Sequence, residues 1–348
     1  MRKVLLLGVV LSCMMFVKCG PKVGNTSGSS KNQSITEVDP MPFAESITAE
    51  ELKEMLYVYA SDEFEGRNTG EPGQKKAVEY LKNFYVDHGI KSAMEDSYFQ
   101  IVPESFFRAG SGIKASENVV AFIEGSTKPE EYIVISAHLD HVGVREDGEV
   151  FNGADDDGSG TVGVLEIAEA FKQAVEKGYR PQRSIVFLHV TGEEKGLVGS
   201  RYYAENPIFP IANTVADLNI DMIGRVDEAH KDNENYIYLI GSDKLSTELD
   251  SISTAVNNKY MNIDLDYTYN DENDPNRFYY RSDHYNFAKF GVPIIFYFNG
   301  VHEDYHKVTD TPDKINYPML AKRSQLVFLT AWELANREER IVVDKEVK

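Results

Sequence analysis

Five short stretches of this chain gather imidazole and carboxylate side chains at spacings that suit metal-assisted hydrolysis. In Ser136-Ala-His-Leu-Asp-His-Val-Gly143, His138 and Asp140 stand two residues apart, so on a continuing strand both leave the same face. A carboxylate beside an imidazole fixes its tautomer and raises its basicity, which is how a metal-bound histidine is usually supported. Taken alone, a polar loop after a buried strand explains this stretch as well.

Gly153-Ala-Asp-Asp-Asp-Gly-Ser-Gly160 sets three adjacent acids at the start of a helix. Compensation of the helix dipole accounts for one or two of them, not three. A calcium loop is a further option, yet the three acids stand consecutively where such a loop alternates its ligands. In Thr191-Gly-Glu-Glu-Lys-Gly196, Glu193 and Glu194 point different ways, so one can hold a metal while its neighbour handles a proton. The bland reading is a solvated turn. Asp221, in Asn219-Ile-Asp-Met222, could equally cap a helix, and His306, in Asp304-Tyr-His-Lys-Val-Thr-Asp-Thr311, could equally be a surface residue. Together, histidines and carboxylates without a thiolate match zinc, manganese or cobalt in a hydrolytic site.

Such a set needs elements that deliver it to one place. Continuous apolar runs at Asn118–Ile123, Tyr132–Ala137, Ser184–Val190, Val215–Ile220, Tyr236–Ile240 and Pro293–Phe298 read as strands covered on both faces. Helical periodicity predicts helices at Thr48–Tyr59, opened by a Thr48/Glu51 capping box, at 73–87 and at Gly160–Glu176, with further helices at Thr247–Lys259 and Pro318–Ala335. The alternation predicts a three-layer α/β sandwich with a mostly parallel, mixed sheet and helices on both faces. Ligands of such folds bind beyond the carboxyl ends of the strands, where the His, Asp and Glu residues fall. The loops Asp227–Asn235 and Tyr267–Arg281 are expected to wall the specificity pocket.

The N-terminus reads charged then apolar, from Met1-Arg-Lys through Val4–Val17, a signal-peptide pattern too short to span a bilayer comfortably. Cys13 and Cys19 close it, and no cysteine follows, so the domain beyond cannot form an internal disulfide. Residues 1–19 are expected to be a lipoprotein-type signal. Cys19 is the expected lipidation site and Cys13 the alternative, so acyl chains would tie the protein to the cell envelope. Residues 20–40, rich in Gly, Ser, Asn and Lys, suit a flexible tether, and 41–348 one catalytic domain. A formal charge of -20 without a basic stripe argues against nucleic acid.

The five motifs, in this order, closely resemble metallopeptidase family 28, the dizinc aminopeptidases and relatives that include glutamate carboxypeptidases and glutaminyl cyclases. The upstream stretch Ala60-Ser-Asp-Glu-Phe-Glu-Gly-Arg-Asn-Thr-Gly-Glu-Pro-Gly73 resembles the family's N-terminal segment. The resemblance implies a zinc-exopeptidase-like fold, two zinc ions and a peptide substrate. It implies that Asp156 bridges the metals, that His138 and Asp221 complete one site and that Glu194 and His306 complete the other. Glu193 would be the general base, Asp140 would orient His138, and Ser282-Asp283-His284 would line the substrate pocket. His141 and His302 receive no role and are read as loop residues. The implied activity is release of N-terminal amino acids. A cyclase-like or carboxypeptidase-like member is the alternative within the fold, and a non-catalytic envelope binding protein the alternative from another class. Oligomeric state is not readable.

Overall fold

A computed structural model describes residues 38–347. The signal-like segment with Cys13 and Cys19, and most of the expected tether, lie outside the described residues. The last tether residues belong to the folded unit, since Pro40 is buried and its carbonyl accepts from the amides of Phe43 and Ala44.

The elements in chain order are α1 Met41–Ala44, α2 Ala49–Tyr59, α3 Pro72–Asp87, β1 Lys91–Ser92, β2 Phe99–Val102, β3 Ser116–Ile123, β4 Lys128–His138, α4 Gly160–Glu176, β5 Arg183–Val190, α5 Val198–Glu205, β6 Thr214–Ile220, β7 Tyr236–Ile240, α6 Thr247–Val256, β8 Asp264–Asp266, α7 His284–Ala288, β9 Ile294–Phe298 and α8 Tyr317–Asn336. All six predicted strands and all five predicted helices are present. The capping box forms as well: Thr48 Oγ1 accepts from the Glu51 amide at 3.2 Å and donates to its carboxylate at 2.7 Å.

The sheet runs β1-β3-β5-β4-β6-β9-β7-β8, with β2 also paired to β3. Its centre, β5-β4-β6-β9, is parallel, whereas β1, β2 and β7 join antiparallel and β3 pairs antiparallel with β5. The central strands are buried on both faces, which is why their sequences run apolar without polar alternation. In β4, Ile133, Ile135 and Ala137 join the larger core under α2, α3, α4 and α8, while Tyr132 and Val134 join a second core that contains Phe287 of α7 and Tyr203 of α5. The helices therefore cover both faces.

Parallel strands align their carboxyl ends. β4 ends at His138, β5 opens onto Glu193, β6 onto Asp221 and β9 onto the loop carrying His306. Register holds these ends level, with His138 opposite Val190 and Asn219 opposite Phe296.

Candidate metal centre

At this rim the side chains converge as two groups that share one residue. His138 Nε2 lies 3.1 Å from Asp156 Oδ1 and 3.6 Å from Asp221 Oδ1. His306 Nε2 lies 2.9 Å from Asp156 Oδ2 and 3.2 Å from Glu194 Oε1. Donors held at about 2.0–2.1 Å from a tetrahedral ion stand about 3.3 Å apart, so both groups have the spacing of a zinc ligand shell.

The three consecutive acids divide their labour. Asp155 Oδ1 accepts from the Gly224 amide at 2.7 Å and the Ser159 hydroxyl at 2.9 Å. Asp157 accepts from the amides of Gly160 at 2.9 Å, Met222 at 3.1 Å and His138 at 3.1 Å. Both flanking acids thus tie the loop to neighbouring strand ends, and the middle one faces the cleft. Asp310 holds the loop from the other side, its carboxylate accepting from the amides of Asp155 and Asp156. Asp157 also stands near His138 and Asp221, but its oxygens are taken up by backbone donors.

Asp140 supports the site differently from the expectation. Its backbone carbonyl accepts from His138 Nδ1 at 2.9 Å, whereas its carboxylate is 3.9 Å from that nitrogen. The carboxylate instead accepts from the Glu193 amide at 3.1 Å and the Thr69 hydroxyl at 2.6 Å. His138 is therefore fixed by the main chain of the loop, and the acid orders its surroundings.

The upstream stretch, which carried no role by spacing, proves to be a brace. Buried Arg67 donates from Nε to the Leu139 carbonyl at 3.1 Å and from its Nη atoms to Asn152 and Gly153 at 2.7 and 2.8 Å. Its guanidinium lies over the Tyr59 ring. Gly66 allows this, having φ +61° and standing so close that a Cβ would be 2.2 Å from the Gly143 carbonyl oxygen. No signal within the stretch marks Arg67: apart from nearby Tyr59, the groups it holds are 72 to 86 residues away.

Several expectations need correction. Ser282, Asp283 and His284 are buried below the cleft. The Ser282 hydroxyl donates to Asp221 Oδ2 at 2.7 Å and accepts from Asn219 Nδ2, Asp283 accepts from Ser200, and His284 Nε2 donates to the Tyr279 carbonyl at 2.8 Å. The wall is formed instead by Met222, Phe278, Arg281, Phe296, Phe298, Val301 and Tyr305. The Tyr267–Arg281 loop thus contributes as expected. Asp227–Asn235 does not, because Asp227 is engaged by the His230 amide and the Tyr238 hydroxyl and folds that loop back on β7. Neither His302 nor His141 is an idle loop residue: His302 donates to Asp155 Oδ2 at 3.1 Å, and His141, fully buried, has Nδ1 3.0 Å from Glu194 Oε1.

The buried acids and imidazoles shift one another strongly. Burial alone would lift every acid here, yet the imidazoles of His141, His138 and His306 hold Asp156 well below the usual carboxylate range. Against burial and the charge of Asp156, His141 and His306 bring Glu194 down to about 2. Burial would lower His306, but Asp156 and Glu194 push it up to about 10. Glu193 goes the other way: burial and, against the pull of His138, the charges of Asp283, Asp221 and Glu194 push it well above the ordinary value. Asp156 Oδ2 and Glu194 Oε1 have no hydrogen-bond partner among the described residues. Unpaired buried acceptors are costly, and these face one point, so the donors fit zinc. Met222 and His306 hold left-handed φ of 60° and 55°, local strain of the kind found at functional sites.

Residues 118–331 match the sequence profile of peptidase family M28, a span that contains every donor named above. Mouse aminopeptidase NAALADL1 is 33% identical over 132 residues, 34% of this chain and 17% of that protein. Leupeptin-inactivating enzyme 1 of Streptomyces exfoliatus is 26% identical over 300 residues, 80% of this chain and 59% of that protein, so the chain spans well under two thirds of either relative. In three dimensions it is similar to BSAP, a zinc aminopeptidase from Bacillus subtilis, with a TM-score of 0.64 at 14% identity, over 87% of this chain and 99% of that one. With its donors and sheet arranged around one rim and its sequence matched across all of them, the chain belongs to peptidase family M28.

Proposed function

We propose that the protein is an exopeptidase that removes N-terminal amino acids from peptides and works with two zinc ions. One would be held by His138, Asp156 and Asp221, the other by Asp156, Glu194 and His306. The observation that carries this reading is Asp156, whose two oxygens address two different histidines at 3.1 and 2.9 Å. When bound, zinc supplies a Lewis acid that polarises the scissile carbonyl and makes water nucleophilic near neutral pH; manganese or cobalt would suit the same donors.

Glu193 serves as the general base, taking the proton of the attacking water and returning it to the leaving amine. Burial and the neighbouring acids raise its pKa, in the direction that suits a group that must take up a proton. Asp140 acts through the Glu193 amide as a positioning residue. Carboxylates at the cleft attract a substrate α-ammonium group, and Met222, Phe278, Phe296 and Phe298 offer an apolar wall to the first side chain. The signal-like N-terminus supports export and lipid anchoring at Cys19, or alternatively Cys13, and with it action in the cell envelope.

The test is hydrolysis of aminoacyl and N-blocked peptides, with and without zinc and chelator, beside Glu193→Ala. Release confined to free-amine substrates, dependent on metal and lost by about 10²-fold or more in the variant, is expected. A metal-loaded protein that leaves every free-amine substrate intact would exclude an aminopeptidase and turn the search to cyclase or carboxypeptidase substrates.

A further inference from the structure

We propose that His141 is a protein donor to the metal position formed by Asp156, Glu194 and His306, so that this position has four protein ligands and the His138 position three. The inference rests on the two-metal reading above and adds a residue to it.

His141 has no exposed surface, and its Nδ1 lies 3.0 Å from Glu194 Oε1 and 3.7 Å from Asp156 Oδ2. Despite that closeness none of these pairs has hydrogen-bond geometry, and both ring nitrogens, Glu194 Oε1 and Asp156 Oδ2 lack a partner. His306 stands in the same relation to the same two oxygens, at 3.2 and 2.9 Å. Atoms about 3 Å apart that do not aim at each other aim at a common point, as donors around one ion do.

The neighbouring histidines behave otherwise. His302 bonds through both nitrogens, to Asp155 and the Asp304 amide, and His138 Nδ1 is taken by the Asp140 carbonyl. Buried histidines away from the metal position keep a partner on at least one nitrogen, His189 with the Tyr85 hydroxyl and His284 with the Tyr279 carbonyl, whereas His141 has none on either, and an unpaired buried polar atom costs about 1–3 kcal/mol. The ring packs tightly against Gly153, which has φ +55° and where a Cβ would stand 2.3 Å from the Asp156 carbonyl oxygen and 2.5 Å from His141 Cδ2. The consequence is asymmetry. With a fourth protein donor that position would be the more fully occupied by side chains, and the His138 position, with three, would keep more room for water or substrate beside Glu193.

X-ray absorption on the wild-type protein loaded with two equivalents of zinc tests this directly. Three imidazoles shared by two ions are expected, and two imidazoles would overturn the proposal. Calorimetric zinc titration of His141→Asn and His141→Ala should show one equivalent weakened by about tenfold or more and the other unchanged. Isotherms identical to wild type would again overturn it. If the wild-type protein takes up only one equivalent, the two-metal reading itself fails, which the titration separates from failure of the His141 assignment. Should a variant not fold, the wild-type spectrum decides alone.

Discussion

The carboxylate of Asp140 holds the backbone amide of Glu193 at 3.1 Å, across the gap between the ends of β4 and β5. The same residue's carbonyl takes His138 Nδ1 at 2.9 Å, so the main chain orients the proposed metal donor and the side chain holds the amide of the proposed base. Thr69, from the brace built on Arg67, donates to the other carboxylate oxygen at 2.6 Å.

Asp140→Ala separates those two duties. The carbonyl that orients His138 survives, so zinc content should stay at the wild-type level, while kcat falls about 10–100-fold as Glu193 loses its tether. KM should change much less than kcat. Steady-state kinetics beside metal analysis checks this, and loss of zinc in the variant would return the acid to the role of orienting the histidine.

Ser282→Ala probes the support on the opposite side. Asp221 Oδ2 loses its 2.7 Å donor, and Asn219 Nδ2 loses its acceptor. Zinc affinity should weaken by about 10–100-fold, as when an outer partner of a metal ligand is removed. Competition against a chelator measures this; unchanged affinity would show that Asp221 is held well enough without the hydroxyl.

How far the site could be read in advance depended on the range of each interaction. The strands were legible because burial on both faces leaves continuous apolar runs, and α2 because Thr48 and Glu51 are three residues apart. His138, Asp156, Glu194, Asp221 and His306 fall in local motifs, and the fold brings their side chains to one rim. Their supports were not legible. Arg67, Thr69 and Asp310 act on residues 71 to 155 positions away, through a left-handed turn at Gly66 and a loop that spacing does not describe. Ser282–His284 sit next to the pocket in sequence but point beneath it, and only packing against Asn219, Ser200 and Phe296 decides that.

Tyr85 and His189 form a buried pair away from the cleft, sharing a hydrogen bond at 2.7 Å, and burial pulls His189 down to about 3. Tyr85→Phe leaves the imidazole nitrogen unpaired and should destabilise the fold by about 1–3 kcal/mol. The neutral histidine contributes stability above its unfolded pKa of about 6.5, and that contribution is lost as pH falls toward 3. His189→Gln should therefore flatten the acid limb of the denaturation profile measured on metal-free protein; an unchanged limb would assign it to other groups.

Glu166, on α4, is buried, and burial followed by the charges of Glu51 and Glu169 pushes its carboxyl up to about 8. In the unfolded chain it titrates near 4.5. Between these values the folded state carries a proton that the unfolded state has lost, so this residue makes stability fall as pH rises from 4.5 toward 8, and above that range the loss is complete. Glu166→Gln keeps the shape and removes the titration. The variant should match the wild type at pH 4.5 and exceed it by a few kcal/mol, on the order of 1–4, at pH 8.5. Urea denaturation of both proteins at the two pH values reads the difference. A gap of the same size at both would mean that packing, not proton linkage, separates them, and that Glu166 is charged in the folded protein.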